Sequence, residues 1–365
     1  MSAEAGVEAA RPAHAAPTGV AAWSRWLRPV LLSLGPILAT LLFSGALLLA
    51  FGVSPIDYYQ AVLHRGIVSP SGLQEVLTRM APLLLVAASL TVAFRAGIWN
   101  LGGDGQFLLA AVVVAATAPL LVTHMPDWLA LALCMALAAG VGALWSLVPA
   151  LLRAYQGVNE IITTLMMTFL GVSFANVLVK LVFLDPATTV PQTRTLPVDD
   201  RLPHLFDTRI SSGLVVGLVA VILVHLVMTR TAFGLRLRVV GANARAAMHA
   251  GLPVPRLTVA VFALSAALAG LAGAVEILGV EGNVRADWNP AFSLTVVPLV
   301  FLARFNGYAT ILFVFLFSVL SIGGESAARL TGVPNFFTLV LVAILLLLLA
   351  VAEYADHRHR ERTRA

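Results

Sequence analysis

The chain has 365 residues, of which 59% are hydrophobic and 11% are charged, and its mean hydropathy is +0.93. Because a soluble domain carries about 25% charged residues, this composition excludes an ordinary soluble protein and predicts an all-α polytopic protein surrounded by membrane lipid. The formal net charge of +5 does not indicate a nucleic-acid partner, since membrane proteins concentrate arginine in their cytoplasmic loops.

The apolar stretches predict about ten transmembrane helices. In chain order they cover residues 29–51, 73–94, 105–122, 128–152, 161–183, 213–229, 257–279, 291–302, 310–322 and 336–351. The runs 291–302 and 310–322 are short, and they form either two crossings or one re-entrant unit. Of the 23 Lys and Arg residues, 15 fall on the side of the termini and eight on the other. The positive-inside rule therefore predicts that both termini are cytoplasmic.

Hydrophilic segments frame and interrupt the predicted transmembrane domain, residues 29–352. Residues 1–28 lack a short cleavable apolar core, and we expect a disordered cytoplasmic arm there. Residues 184–210 form the longest hydrophilic loop and are expected outside the membrane. The basic segment 230–256 and the basic tail 353–365 are expected on the cytoplasmic side.

Enzyme chemistry finds little support in the sequence. Cys134 is the sole cysteine and lies in an apolar run, and the eight histidines do not pair at metal-ligand spacing. No Walker A motif, zinc motif or plausible nucleophile arrangement is present. We therefore expect no catalytic residue, no metal and no cofactor bound by this chain.

The first candidate constellation is a glycine-rich break before the third apolar run. Four glycines fall within residues 97–105, which favours a broken helix, and exposed backbone at membrane depth is tolerated only beside protein or a water-lined cavity. An acidic residue near the bilayer is a functional candidate by default. The alternative for Asp104 is an interfacial cap of the third helix, and both can hold. The candidate pathway residues here are Phe94, Trp99, Asn100, Asp104 and Gln106.

A second constellation opens the fifth apolar run at residues 157–160. Glu160, Thr164, Met167 and Gly171 share one helical face. Glu160 is a pathway candidate, and simple complementation of the helix dipole is an equally good explanation of an acid at this position. Further along the same run, Asn176 is a polar residue that we expect to face the helix bundle.

A third constellation, residues 279–290, follows the seventh apolar run, which contains Glu276. This stretch interrupts the second half of the chain much as the glycine-rich break interrupts the first. Paired interruptions in the two halves of a transporter point to a substrate site. Glu276 and Asn283 are therefore candidates, and a plain external loop is the alternative.

The basic segment 230–256 contains the punctuation of its own short helix. Asn243 is expected to cap its start and Gly251 to end it in the left-handed conformation. Ala244, Ala247 and Met248 fall on one face, and we expect Ala247 and Met248 to present a small apolar knob to a partner. The candidate contact residues are Gly241, Asn243, Ala244, Arg245, Ala247, Met248 and Gly251.

Three stretches resemble a known family. FRAGIWNLGGDGQF, GVNEIITTLMMTFL and FGLRLRVVGANARAAMHAGL, with the spacing between them, are similar to permease subunits of bacterial ABC importers. The resemblance is to the ribose/branched-chain type permease class, in its nucleoside and simple-sugar branch served by basic-membrane-lipoprotein receptors, and it covers roughly residues 31–351. Asp104 stands where the branch more often has glutamate, and Thr168 where asparagine is common.

The resemblance implies an alternating-access importer in a bacterial cytoplasmic membrane. Two permease subunits, here expected to be this chain and a second related one, would assemble with two ABC ATP-binding subunits that carry ATP and Mg. An extracellular or periplasmic lipoprotein would deliver the nucleoside or sugar. Residues 241–251 would be the coupling helix that receives the ATP-driven motion.

Two further expectations concern chemistry. If the substrate is a nucleoside, Phe94 and Trp99 would stack on its base, and Asn100 or Gln106 would hydrogen-bond its ribose or base edge. The alternative to an ATP-driven importer is a secondary transporter of small polar solutes, in which Asp104, Glu160 or Glu276 would carry protons.

Overall fold

A computed structural model describes residues 35–36, 38–206, 208–334 and 336–362. The described part is helical, with isolated β-bridges in place of a sheet. Its helices are α1 (Leu38–Ala50), α2 (Pro55–Leu63), α3 (Pro70–Arg95), α4 (Gly103–Leu121), α5 (Asp127–Trp145), α6 (Leu147–Gln156), α7 (Glu160–Val177), α8 (Gly213–Arg230), α9 (Ala232–Ala242), α10 (Ala244–His249), α11 (Val254–Glu276), α12 (Phe292–Leu302), α13 (Gly307–Thr331) and α14 (Phe336–Arg362).

Seven helical stretches of the described chain are long and apolar enough to cross a membrane. They are α3, α4, α5 with α6, α7 with its π-helical extension to Val182, α8, α11 with its π-helical extension to Glu281, and α13. Leu38–Ala50, Phe292–Leu302 and Leu339–Ala352 are shorter apolar helices. The all-α membrane fold is thus confirmed, whereas the count of about ten crossings and the cytoplasmic placement of both termini stay predictions.

The short apolar runs after residue 290 differ from each other. The run 310–322 lies within α13, whose 25 residues are long enough to span the membrane. The run 291–302 corresponds to α12, whose 11 residues rise only about 16 Å and fall short of a bilayer core about 30 Å thick. Because α13 has the length to cross by itself, the two runs differ in kind, and the choice between two crossings and one re-entrant unit stays a prediction.

Helices α3, α4 and α11 form the centre of the bundle. Between 67% and 83% of their most apolar windows is buried, against 17% for α7 and 28% for α8. Small residues allow the close approach that holds these helices together. Gly270 of α11 lies against the carbonyl of Ala138 in α5, and Gly273 lies against the carbonyl of Phe107 in α4. Small residues of α11 thus allow its backbone to contact those of α4 and α5 directly.

The long loop 184–210 is anchored on the segment that follows α11. Thr193 N–H donates to the carbonyl of Val284 (3.0 Å), and Leu196 N–H donates to that of Gly282 (2.9 Å). Arg201 Nη1 donates to the carbonyl of Val280 at 2.8 Å. These bonds satisfy backbone groups of two irregular segments at once and fix the loop over one end of α11.

The arm 1–28 lies outside the described residues. The tail 353–365 begins as part of α14, which continues to Arg362.

Candidate substrate pathway and coupling segment

The glycine-rich stretch is a true break between α3 and α4. After Arg95 the chain turns through Gly97, which adopts φ +68°, a conformation that glycine enters without a side-chain penalty. Ile98 N–H returns to the carbonyl of Ala93 at 3.0 Å, and helical structure resumes only at Gly103. The broken helix expected from the sequence is present.

Asn100 is the centre of a buried hydrogen-bond network. Its Nδ2 donates to Gln106 Oε1 (3.2 Å) and to Ser265 Oγ of α11 (3.0 Å), and Ser265 Oγ lies 3.0 Å from Ser89 Oγ of α3. Asn100 and Gln106 are each 1% exposed. Both side chains are thus engaged inside this chain, where they join α3, α4 and α11, and a substrate would reach them only after these helices separate.

The backbone of the break is held by α7. Leu101 N–H donates to Thr164 Oγ1 (3.2 Å), and Thr168 Oγ1 donates to the carbonyl of Leu101 (2.9 Å). Irregular backbone inside a membrane protein needs such partners, because lipid offers none. Thr168 therefore has a structural task at the position where the resembling family commonly has asparagine.

Asp104 bonds the start of α12, a partner that the sequence did not indicate. It lies in the first turn of α4, is 6% exposed, and its Oδ1 accepts a hydrogen bond from the N–H of Ser293 at 2.9 Å. Ser293 is in the first turn of α12. The carboxylate thus serves the unpaired N–H groups at the start of α12 as well as the dipole of α4. The interruptions in the two halves of the chain meet at this contact.

The start of α7 shows both features weighed for it. Asn159 Oδ1 accepts from the N–H of Ile161 (2.9 Å), so Asn159 caps the helix. Glu160 is 8% exposed, and its Oε2 lies 3.2 Å from Arg153 Nε at the end of α6. The shared face of Glu160 continues to Gly171, which packs against Gly105 of α4. In this structure Glu160 is a paired ion in a helix contact.

Phe94 and Trp99 belong to an aromatic cluster that includes the far end of α12. The ring of Phe94 lies 5.1 Å from that of Trp99 and 4.8 Å from that of Phe301, and Phe305 completes the group. Trp99 is 39% exposed, whereas Phe94 is 9% exposed. Of the two, Trp99 has the accessible ring that stacking on a substrate requires.

Asn176 and Asn283 both hold the segment after α11. Asn176 lies in the last turn of α7, and its Oδ1 accepts from the N–H of Asp287 at 2.7 Å. Lys180 Nζ binds the Asp287 carboxylate at 2.9 Å. Asn283 Nδ2 donates to Thr195 Oγ1 of the long loop at 2.8 Å.

Glu276 is the candidate acid with the fewest partners. It ends α11, is 1% exposed, and its Oε2 finds no hydrogen-bond partner within the described part of the chain. Arg79 of α3 and the acid Glu281 both act on it electrostatically, and the Arg79 guanidinium lies 5.8 Å from the centre of the Phe292 ring. Arg79 and Phe292 were not singled out in the sequence; an arginine inside the long apolar helix α3 was the available signal.

The basic segment 230–256 forms α9 and α10 between α8 and α11. Asn243 Oδ1 accepts from the N–H of Ala246 (3.0 Å) at the start of α10, and Gly251 closes the other end with φ +80°. Leu252 N–H returns to the carbonyl of Ala247 at 3.0 Å. Both predicted caps of this short helix are thus present.

Exposure within α10 differs from expectation at one residue. Ala247 is fully buried, whereas Met248 is 51% exposed, and Ala244 and Arg245 are also exposed. The chain folds back over Ala247 because α10 packs between α9 and the start of α11. The expected apolar knob of Ala247 and Met248 is therefore wrong for Ala247, and Met248 alone presents the apolar surface.

Gly241 connects the basic segment to the glycine-rich break. It is the last glycine of α9, and a Cβ placed on it would lie 2.8 Å from the carbonyl carbon of Ala96 and 2.9 Å from the nitrogen of Gly97. A Cβ on Gly97 would in turn lie 3.0 Å from Gly241 Cα. The two segments therefore meet backbone to backbone.

Seven helical stretches of the described chain have the length and apolar composition to cross a membrane, and the two irregular segments that follow α3 and α11 are joined inside the bundle, which is the organisation of a multispan membrane protein. Residues 72–349 match the family model described as "Branched-chain amino acid transport system / permease component", and the chain belongs to this family. The resemblance found in the sequence is thereby confirmed.

Curated relatives are similar over most of the chain. The glucose ABC transporter permease protein of Haloferax volcanii is 33% identical over 92% of this chain and 90% of its own length. The nucleoside ABC transporter permease protein NupB of Lactococcus lactis is 29% identical over 70% of this chain and 72% of its own. The guanosine ABC transporter permease protein of Bacillus subtilis is 30% identical over 67% of this chain and 71% of its own length. No solved structure matches the chain.

Proposed function

We propose that the chain is the membrane-spanning permease subunit of an ATP-driven ABC importer for nucleosides or related simple sugars. The observation that carries the proposal is the similarity, over nine-tenths of both chains, to a glucose ABC transporter permease protein, joined by nucleoside and guanosine permeases. In this role the chain itself has no catalytic residue, and ATP with Mg acts on partner subunits.

The proposed assembly places the ATP-binding subunits, which act as its motor, on one side of the membrane and the substrate receptor on the other. Both termini and α10 lie in the cytoplasm of a bacterial cell, where α10 contacts an ATP-binding subunit. A second, related permease completes the pathway, and an external lipoprotein delivers the substrate to the side of the long loop. Support for the placement of α10 comes from its caps, the exposed Met248 and the five arginines of segment 230–256.

Transmission of the motion would start at α10 and pass through Gly241. The backbone contact of Gly241 with Ala96 and Gly97 leads to the break that carries Asn100, and from there Asp104 leads to the start of α12. Close backbone packing transmits a displacement because it has no side chain to absorb it. A motion of α10 would thus reach both interrupted helices.

Cysteine crosslinking tests the proposed contact. Met248→Cys is introduced in a Cys134→Ala background, which is otherwise free of cysteine, and the complex is purified from its native membrane with all bound subunits. We expect a crosslink from position 248 to an ATP-binding subunit. Leu330→Cys is the matched control. Leu330 is 76% exposed near the C-terminal end of α13, which the proposed topology places on the side of the membrane opposite to α10.

The outcome of this experiment is decisive for the proposal. An ATP-binding subunit linked to position 248 but not to position 330 supports it. A complex that contains no ATP-binding subunit, or equal crosslinking from both positions, contradicts it.

A further inference from the structure

The region around Glu276 contains chemistry that helix packing does not use. Glu276 is buried with Oε2 unpartnered, although a buried carboxylate is expensive unless hydrogen-bonded. Arg79, the nearby positive charge, makes no ion pair with it and instead lies over the ring of Phe292. Arg79 acts electrostatically on Glu276 without bonding to it, so the unpartnered Oε2 of Glu276 keeps hydrogen-bonding capacity for a third group.

Aromatic rings lie beside this pair. The Phe292 ring, which Arg79 covers, is 5.6 Å from that of Phe107, and the Phe107 ring is 6.0 Å from that of Trp288. Phe107 is also placed next to the last turns of α11, because its carbonyl packs against Gly273, one turn before Glu276. We call Phe107, Trp288 and Phe292 the Phe292 cluster.

The cluster has one accessible edge. Phe107 and Phe292 are buried, whereas Arg79 and Trp288 are partly exposed. Arg79, Phe107, Glu276 and Phe292 come from α3, α4, α11 and α12, and Trp288 comes from the segment between α11 and α12. The group therefore joins the interrupted second half of the chain to the bundle. Interrupted helices are where transporters place substrate sites.

Resting on the proposed function, we propose that Glu276 and Arg79 form a subsite for the hydroxyl groups of the transported solute, with the Phe292 cluster packing on its ring. A carboxylate accepts hydrogen bonds from hydroxyls, and a guanidinium donates them in a fixed fork. Aromatic faces provide the apolar lining that orients such a ligand. The ligand class is a neutral, hydroxyl-rich ring: a simple sugar or the ribose of a nucleoside.

The closing test combines substitutions in the protein with removal of single hydroxyl groups from the transported solute. The intact importer, with its native receptor and ATP-binding subunits, is reconstituted in vesicles, and uptake of D-glucose, guanosine and their monodeoxy analogues is measured. The affinity of the receptor for each probe is measured separately, so that differences in uptake can be corrected for differences in delivery by the receptor. Glu276→Gln and Arg79→Gln are compared with wild type, and Glu325→Gln, a carboxylate 41% exposed on α13, is the matched control.

We expect Glu276→Gln to raise KM for the transported probe by about tenfold, the loss of a charge-assisted hydrogen bond, while leaving the maximal rate nearly unchanged. One deoxy analogue should lose more affinity for wild type than for Glu276→Gln, because the amide oxygen of glutamine accepts only an uncharged, weaker hydrogen bond from that hydroxyl. Arg79→Gln should also raise KM, and the deoxy analogue to which it becomes less sensitive should lack a different hydroxyl group.

Stability separates this role from a structural one. Glu276 is a buried acid with an unpartnered oxygen, so Glu276→Gln should keep or raise the thermal stability of the complex. An unchanged KM, or losses that add for every deoxy analogue, would overturn the subsite and leave the proposed function standing. Wild-type vesicles that hydrolyse ATP but import neither a sugar nor a nucleoside would contradict both.

Discussion

Gly97 and Gly241 touch through their backbones, and neither position has room for a side chain. A Cβ on Gly97 would lie 3.0 Å from Gly241 Cα, and one on Gly241 would lie 2.8 Å from the carbonyl carbon of Ala96. Gly97 follows the end of α3, and Gly241 lies in the last turn of α9, 144 positions further along the chain. This contact joins the segment proposed to meet the motor with the interrupted helix.

Gly241→Ala should loosen that contact. Since the atoms that a Cβ at position 241 would meet are backbone atoms that cannot rotate away, we expect a destabilisation of about 1–3 kcal/mol and fewer substrate molecules imported per ATP hydrolysed. Gly140→Ala is the control: it makes the same change in the interior of α5 with no heavy atom within 4 Å, and better helix propensity should leave it neutral or stabilised by up to about 1 kcal/mol.

Thermal unfolding of the purified complex and the ratio of uptake to ATP hydrolysis check both variants. If Gly241→Ala unfolds and transports like Gly140→Ala, the contact is not tight in the working protein. If it is only less stable, with an unchanged ratio, the contact is structural and does not transmit motion.

Asp104 offers a test of the meeting point between the two interruptions. Asp104→Ala removes the acceptor for the Ser293 N–H and should cost about 1–2 kcal/mol of stability, in the range of a lost helix cap. Asp104→Asn keeps an oxygen acceptor and loses only the charge at two helix starts, so it should cost less. Unfolding curves of the two variants that coincide would contradict this ordering.

The sequence was informative where one residue type has one dominant use. Asn243 and Gly251 were identified as the caps of a short helix, and both occupy those positions, because capping depends on neighbours within one turn. The spans from residue 70 to Arg230 were found for the same reason, since apolar length is a local property.

Partners far apart in the chain were beyond such reasoning. Capping of its own helix was one of two explanations for Asp104, and its carboxylate also bonds α12 about 190 positions later. Ala247 was expected on a surface and is buried by the return of the chain toward α11. The significance of Arg79 depends on Glu276 and Phe292, which reach it only through the fold. None of these relationships leaves a periodic or local signal.

The ion pair of Arg153 and Glu160 should show strong coupling. Arg153→Met leaves the Glu160 carboxylate, whose side chain is 11% exposed, without its counter-charge, and we expect a loss of about 1–3 kcal/mol. Adding Glu160→Gln should recover most of that loss, because the uncompensated charge is then gone. A double-mutant cycle from chemical unfolding measures the coupling, and strictly additive losses would mean that the pair does not form in the membrane.

The energy source distinguishes the importer from a proton-coupled transporter. Asp104 and Glu160, two of the acids considered as proton carriers, are bonded to Ser293 and Arg153 in this structure. In cells that depend on this protein for uptake, depletion of ATP with the proton gradient maintained should stop transport, whereas an uncoupler with ATP maintained should leave it largely intact. The reverse pattern would support the ion-coupled alternative.

The surface of α10 predicts an order of effects for three substitutions, because Met248 is exposed and Ala247 is buried. Met248→Asp places a charge at the exposed apolar position and should abolish co-purification of the ATP-binding subunits at unchanged unfolding temperature. Arg245→Glu, on the same exposed helix, should weaken co-purification less, since a single exposed ion pair contributes at most about 1 kcal/mol. Ala247→Leu overfills a buried site and should lower the unfolding temperature first. Equal co-purification with Met248→Asp and wild type would show that α10 is not the contact with the motor.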